Sequence, residues 1–527
     1  MINQRLIIAV TVVMVALFYS CTSSKSKHAA SQNMATAETE AAARSQPNII
    51  FFAVDDMNDF VNPLGHSQAI TPNMDRLAAM GVTFSNAHAP NSYCAPSRTA
   101  IWTGLQSTTT GCYRDEIYQY DYPNLVPLHE AFKQGGYNTY GAGKLNHHPG
   151  GHVDLDGWDQ YFARNEEIRK KGYPTGYDGD DLPRPQGGPN SPYYKKLGVN
   201  KLIGAGFLEW WGVPEEDTHK LMGVQRTKWI CDLLKQKHEK PFFMGLGLYT
   251  PHFPNYAPQK YFDLYDVEKI ILPELPEDDL NDLPADIRKK QTNRRNQHLV
   301  KLQKIGAYKE AVKAYLSAVS YADGLLGEVL DALEESAYKD NTIVVFWSDQ
   351  GYHLGEKGDW GKHTLWSETS RVPLFISGAH IPKNKRVEST AGLIDLYPTL
   401  MELCNLPKQH KLDGKSLVTE LMQANYKDRD LFIPYHQSGS YAIVNDTYRY
   451  IHYNNGGEEF YNIKDDQNEW NNLIGDKKNK SIIDKMKLVV PKEFRKSATP
   501  KKSLKLIFEE DGYHWESKNG DPPQMSL

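Results

Sequence analysis

Side chains able to do chemistry gather in this chain wherever a short apolar run stops. Asn48-Ile49-Ile50-Phe51-Phe52-Ala53-Val54 ends in Asp55-Asp56, and the run from Asn138 to Gly143 delivers Lys144 and then His147. Phe242 to Leu248 leads into Thr250-Pro251-His252, and Thr342 to Ser348 leads into Asp349-Gln350-Gly351. An acidic pair after one strand is as ordinary as a turn or a helix cap. Several together are different, because a hard divalent cation needs many oxygen ligands and the carboxylates of Asp55, Asp56 and Asp349 with the Gln350 amide could supply them. Lysine and histidine at the same ends suit an anionic substrate whose reaction moves protons.

The elements that must position these groups follow from the pattern of apolar residues. Runs without polar alternation are strands buried on both faces, as in a parallel sheet, and another stands at Val372 to Ile376. Between them lie helical stretches from Gly223 to Lys237 and Glu310 to Glu335, the latter with Val312, Leu316, Val319, Leu326, Val329 and Leu333 at helical spacing. Such alternation predicts an α/β fold, a large mixed and mostly parallel sheet sandwiched by helices. Ligands in open α/β sheets bind beyond the carboxyl ends of the strands, so all the groups above should meet on one edge. After the helical segment Leu393 to Leu400 the texture changes to the short aromatic and β-branched runs Leu431 to Tyr435, Tyr441 to Val444 and Tyr448 to Tyr453, joined by Asn/Gly turns. These predict a small antiparallel sheet. The expected organisation is a leader over 1–21, a tether over 22–46, a catalytic domain over 47–414 and a C-terminal α+β subdomain over 415–527. The charged, Pro-containing stretch from Pro273 to about Lys304 reads as a surface excursion.

The segment Cys94-Ala95-Pro96-Ser97-Arg98-Thr99-Ala100-Ile101-Trp102-Thr103-Gly104 is, read bare, a turn with a cysteine ahead of a helix, whose thiol need be only a small buried hydrophobe. As a pattern it resembles the signature of the type I, formylglycine-dependent sulfatases. Thr71 to Ala78 and Gly81 to Ala87 resemble the helix and strand that precede that signature. Gly143-Lys144-Leu145-Asn146-His147, Thr250-Pro251-His252, Ser348-Asp349-Gln350-Gly351, Gly361-Lys362 and the closing Glu459 to Asp466 with Asn472-Leu473 resemble its later motifs. The resemblance runs from Asn48 to about Leu473 and is strongest to the iduronate-2-sulfatase-like branch.

The resemblance implies an alkaline-phosphatase-like sheet and a Cys94 oxidised to formylglycine (3-oxoalanine) by a formylglycine-generating enzyme. It implies one Ca2+ held by Asp55, Asp56, Asp349, Gln350 and the modified Cys94. Gln350 departs from the pattern, since many members carry Asn there and iduronate-type members often carry His. A hydrated formylglycine has two hydroxyls, one to attack sulfur and one to expel sulfate afterwards, and the family's chemistry implies His147 as the base for the second step. His252 is implied as the acid that protonates the leaving alcohol, with Arg98, Lys144 and Lys362 neutralising sulfate oxygens. Tyr113-Arg114, His148, Trp210-Trp211, Trp360 and His436 are candidates for contact with a sulfated sugar.

Composition excludes some partners and leaves the substrate class open. With 60 Lys+Arg against 65 Asp+Glu, nothing favours a nucleic-acid or membrane-surface binder, and preference for an anion must be local. Arg5 precedes an apolar run from Leu6 to Tyr19, the length of a signal h-region, and Leu17-Phe18-Tyr19-Ser20-Cys21 resembles a bacterial lipoprotein box. The expectation is export, lipidation at Cys21 and anchoring at the outer membrane, with the polar residues after Thr22 as a tether. Cys94, Cys112, Cys231 and Cys404 show no metal-ligand spacing, and the sequence does not choose a pair among them for a disulfide. The expected activity is hydrolysis of sulfate esters on a polysaccharide or its oligosaccharides, of ulvan, carrageenan, fucoidan or glycosaminoglycan type. Alternatives are a phosphate or phosphonate monoester hydrolase of the same superfamily and a non-catalytic glycan-binding lipoprotein.

Overall fold

The computed structural model describes residues 46–147, 157–162, 210–292, 296–424, 426–435, 439–508 and 513–523. The expected leader and tether, with Cys21, lie outside the described residues, as do His148 and His436. Pro47 to Leu527 group as one compact unit. No helix among the described residues is long and apolar enough to cross a membrane.

The central sheet has eight strands. They are β1 (Asn48–Asp55), β2 (Gly81–Phe84), β3 (Asn138–Gly143), β4 (Gln160–Phe162), β5 (Phe242–Pro251), β6 (Thr342–Ser348), β7 (Leu374–Gly378) and β8 (Lys385–Val387). Their order is β8-β2-β7-β6-β1-β5-β3-β4. β4, β3, β5, β1 and β6 pair in parallel, whereas β7 is antiparallel to both β6 and β2. The sheet is thus mixed and mostly parallel, as the sequence predicts, and the reversed strand is the expected run near Val372.

Burial on both faces follows from the strands themselves. In β1, Ile50, Phe52 and Val54 enter one apolar core and Ile49, Phe51 and Ala53 the other, because successive side chains of a strand point to opposite sides. The first core is closed by α1 (Pro72–Met80), α3 (Met222–Leu234) and α4 (Tyr308–Glu335), the second by α2 (Cys94–Thr103) and α5 (Leu396–Leu403). α1 has no capping hydrogen bond from Thr71. Its first turn is capped instead by Asp323 of α4, which accepts from Met74 N–H at 2.7 Å and Asn73 N–H at 3.2 Å.

Toward the C-terminus β9 (Leu431–Pro434), β10 (Tyr441–Val444), β11 (Tyr448–His452) and β12 (Glu458–Asn462) form an antiparallel four-stranded sheet in sequential order. The excursion after Pro273 carries two short helices, Ala285–Lys290 and Asn296–Lys304.

Candidate active site

Because β3, β5, β1 and β6 run in parallel, Lys144, His252, Asp55-Asp56 and Asp349-Gln350 leave the sheet at one edge. Asp56 adopts a left-handed backbone, φ 62°, which ends the strand's alternation. Tyr315 of α4 holds that turn: its hydroxyl donates to Asp56 C=O at 2.8 Å and accepts from Asn58 N–H at 3.0 Å. Asp56 N–H donates to Asp349 Oδ1 at 3.2 Å, and Met57 N–H to Ser348 Oγ at 2.9 Å, so the ends of β1 and β6 are stitched together.

Cys94 is the first residue of α2, where free backbone N–H groups make the local field positive. Its Sγ lies 3.8 Å from Asp56 Oδ1, 3.3 Å from Gln350 Nε2 and 3.0 Å from Lys362 Nζ. Lys362 Nζ also meets Asp56 Oδ1 at 2.6 Å, and on the other side Lys144 Nζ meets Asp55 Oδ2 at 2.5 Å. Lys144 reaches this depth because its peptide crosses directly over Gly247, where a Cβ would stand 2.2 Å from the Lys144 carbonyl carbon. Ser97 Oγ ties α2 to β6 by donating to Asp349 C=O at 2.5 Å.

Arg98 is fully buried and its part differs from the sequence expectation. Nε donates to Asp349 Oδ2 at 2.7 Å and Nη2 to Asp55 Oδ1 at 3.3 Å and Val54 C=O at 3.4 Å. Nη1 donates to the carbonyls of Lys144 at 2.5 Å and Leu145 at 3.1 Å. A guanidinium has five N–H donors, and five acceptors surround this one. Arg98 therefore ties three strand ends together and is a positioning residue. Lys144 and Lys362 remain as the cations beside Cys94.

The histidines bracket the same space. His252 Nε2 stands 3.6 Å from Asp56 Oδ2, while its Nδ1 contacts the Phe253 carbonyl, which makes Nδ1 the donor and leaves Nε2 toward the site. The His147 ring lies 5.9 Å from the Tyr93 ring, one residue before Cys94. Trp360 is 3 % exposed and sits 5.7 Å from Phe253 and 5.9 Å from Tyr308, ring to ring. The structure thus places Trp360 in the core beneath the site instead of against a sugar. Arg114 is exposed, with its backbone N–H on Glu116, and its neighbour Asp115 accepts from the Tyr93 hydroxyl at 2.8 Å. Trp210 is buried and Trp211 half-buried, edge-on to Tyr256. Tyr315, Tyr93, His363 and Tyr249 also border the site without belonging to its motifs: the His363 ring lies 4.8 Å from that of Tyr93, and Lys144 Nζ stands 4.8 Å from the Tyr249 ring. The last three adjoin Cys94, Lys362 and Thr250 in the chain, and that adjacency was the available signal.

The residues fit a divalent cation. Asp55, Asp56 and Cys94 offer ligand atoms all within 4.8 Å of one another. Asp56 Oδ2 and Gln350 Oε1 are buried with no hydrogen-bond partner, an arrangement that costs free energy unless something positive meets them. The Gln350 amide lies against Asp56 Oδ1, and its oxygen and nitrogen exchange by rotation about one bond.

Charge and burial set the protonation of the cluster. Burial alone would raise the Asp55 carboxyl, but Lys144, His252, Arg98 and Lys362 hold it well below the usual carboxylate range. Burial pushes Asp349 up to about 7 against the pull of Arg98. Burial also pushes the Cys94 thiol up to about 12 despite Lys144 and Lys362, so as a thiol it stays protonated and a poor nucleophile. His147 is held well below its ordinary value, first by burial and then by Lys144, which keeps it neutral. His252 is lowered by burial and partly restored by Asp56. No disulfide joins any of the four described cysteines.

Ammonium groups around a nucleophile position, beside clustered carboxylates on the carboxyl edge of an α/β sandwich, define a hydrolase acting on esters of a tetrahedral oxyanion. The chain belongs to the sulfatase family, whose pattern it matches over residues 47–406, and is a sulfuric ester hydrolase. Residues 355–496 further match the C-terminal region described as N-sulphoglucosamine sulphohydrolase, C-terminal. A sulfatase of Formosa agariphila is 38 % identical over 85 % of this chain and 87 % of its own. Mouse iduronate 2-sulfatase is 28 % identical over 71 % of each chain. In fold, the chain is similar to the phosphonate monoester hydrolase of Agrobacterium radiobacter, with TM-score 0.66 and 18 % identity over 89 % of this chain and 99 % of that one.

Proposed function

We propose that the protein removes sulfate from sugars of a sulfated polysaccharide or its oligosaccharides, with Cys94 converted to formylglycine and one Ca2+ at the Asp55, Asp56, Asp349 and Gln350 cluster. The observation that carries this reading is the Cys94 thiol at a helix N-terminus, 3.0 Å from Lys362 Nζ yet held protonated. Such a thiol has the cationic surroundings of a nucleophile without a nucleophile's ionisation. Formylglycine supplies, when hydrated, one hydroxyl that attacks sulfur and a second that releases sulfate. A divalent cation supplies charge that favours the ionised form of a hydroxyl beside it.

The remaining work falls to side chains of known position. Lys144 and Lys362 receive sulfate oxygens and neutralise charge as the sulfur–oxygen bond to the sugar breaks. In its imidazolium form, which Asp56 Oδ2 at 3.6 Å favours, His252 gives its Nε2 proton to the departing alcohol, and neutral His147 takes one from residue 94 when sulfate is released. Arg98 keeps Asp55 and Asp349 fixed. Iduronate 2-sulfatase, a relative named for a sugar substrate, supports the saccharide class. Export and lipid anchoring through Cys21 complete the reading, since they would place the enzyme at the cell envelope where large glycans are met.

Turnover of matched aryl sulfate and aryl phosphonate esters, followed by a panel of defined sulfated oligosaccharides, tests the reading. Sulfate ester hydrolysis with saccharide turnover is expected. Strong preference for the phosphorus ester would overturn the sulfatase assignment in favour of the phosphonate monoester hydrolase alternative. Mass spectrometry of the peptide containing Cys94 reads the modification directly, as sulfur replaced by oxygen.

A further inference from the structure

We infer that Tyr435, on the C-terminal sheet, is a positioning residue for the reaction: by fixing the backbone of His363 it holds the Lys362 ammonium where sulfate is received. The inference rests on the reading that gives Lys362 that role. Lys362 follows the short strand Trp360–Gly361, which pairs antiparallel with His353–Leu354. From there its ammonium comes to rest 3.0 Å from Cys94 Sγ and 2.6 Å from Asp56 Oδ1. A lysine stem is a flexible four-carbon chain, so its tip is placed only as well as the backbone beneath it.

The next residue turns the chain in a conformation that needs support. His363 has φ 78°, in the left-handed region, which a residue with a Cβ keeps only when its surroundings hold it. The Tyr435 hydroxyl supplies that hold by donating to His363 C=O. Tyr435 is itself buried just after β9, and its N–H donates to Ser440 C=O at 2.8 Å. Two further groups of the same sheet grip the chain beyond His363. Arg449 of β11 donates from Nη1 to Leu365 C=O at 2.9 Å, and Glu459 of β12 accepts from Trp366 Nε1 at 2.8 Å. Leu365 and Trp366 also lie in the apolar core of that sheet, with Leu431, Ile433 and Tyr435. The segment from His363 to Trp366 is thus held by the C-terminal sheet, while the lysine before it works beside Cys94. Lys362 neutralises charge that grows as the sulfur–oxygen bond breaks, so misplacing it costs more in the transition state than in binding.

The test compares wild type, Tyr435→Phe, Lys362→Ala and the double variant on one aryl sulfate, by steady-state kinetics and by single turnover with enzyme in excess. Tyr435→Phe keeps the ring in its core and should lower kcat about tenfold with KM little changed. In the Lys362→Ala background the same substitution should change kcat by less than about twofold, because the group it serves is gone. Titration with inorganic sulfate repeats the comparison without turnover, and Tyr435→Phe should weaken binding only where Lys362 is present. A residue that merely supports folding would act equally in both backgrounds, so equal losses would overturn the inference, as would wild-type kcat in Tyr435→Phe. Lys362→Ala with wild-type kinetics would overturn the reading of Lys362 itself. That result is distinct from an impaired Lys362→Ala beside an unaffected Tyr435→Phe.

Discussion

Arg98 Nε donates to Asp349 Oδ2 at 2.7 Å, with both side chains removed from solvent. The same guanidinium holds Asp55 and the backbone of Val54, Lys144 and Leu145, so one side chain of α2 fixes the ends of β1, β3 and β6. Removing one partner of a buried charge network leaves the others unpaired, at about 3–5 kcal/mol. Arg98→Ala should lose about that much unfolding free energy in denaturant titration. Arg98→Lys, which keeps the charge and loses the fork, should recover only a minor part. Wild-type stability in Arg98→Ala would remove the positioning role.

Cys94→Ala should reduce sulfate ester hydrolysis to background and change stability by no more than about 1 kcal/mol, since Lys362 and Gln350, which contact the thiol, both keep Asp56 as a partner. The thiol's protonated state adds a second expectation. Protein made in a host without a formylglycine-generating enzyme should fold and yet be as inactive as Cys94→Ala, and circular dichroism with mass spectrometry separates these cases. Activity tracking the unmodified thiol would refute the assignment.

The orphaned Asp56 Oδ2 and Gln350 Oε1 predict that a chelator in excess abolishes turnover and that Ca2+ restores it. Gln350→Leu, close in size but without the oxygen, should raise the cation concentration needed for half-maximal activity by about 10- to 100-fold. Full activity in chelator would take the cation out of the mechanism.

Asp323, which caps α1, is pushed up to about 6 by burial, against the hydrogen bonds it accepts from Met74 and Asn73. Its neutral form is favoured in the folded protein, so its contribution to stability is complete below its ordinary 3.8 and is lost as pH rises through about 6. Asp323→Asn cannot ionise. The stability of wild type relative to this variant should therefore fall between pH 4 and 7 and level off above, as denaturant titration at each pH would reveal. A constant difference would mean that Asp323 keeps an ordinary pKa.

What was legible in the sequence were features written in local pattern. β1, β5 and β6 are unalternating apolar runs, and each hands its next residues to the site because parallel strands share one carboxyl edge. Lys144, His252, Asp349 and Gln350 could be placed on that logic, and Cys94 by the resemblance of its segment to the sulfatase signature. The part played by Arg98 could not, because motif membership does not reveal whether a guanidinium faces solvent or five internal acceptors. Trp360 was misplaced for a related reason: a tryptophan beside a catalytic loop lines a cleft or supports it from beneath, and only packing against Phe253 and Tyr308 decides. Tyr249 went unseen because, in sequence, it is one more apolar residue of β5.

The two histidines should separate by the alcohol they release. A sugar hydroxyl is a poor leaving group and needs a proton as the sulfur–oxygen bond breaks, whereas an activated phenol departs as its anion. His252 Nε2 is the nitrogen turned to the site, so His252→Ala should lower kcat/KM for a sulfated saccharide by about 10²- to 10⁴-fold and for an activated aryl sulfate far less. His147→Ala should slow both substrates alike, since its task follows loss of the alcohol, and aryl sulfate should then give a burst of phenol equal to the enzyme present. Equal losses on both substrates for His252→Ala would reassign the acid, and a burst in His252→Ala instead of His147→Ala would exchange the two roles.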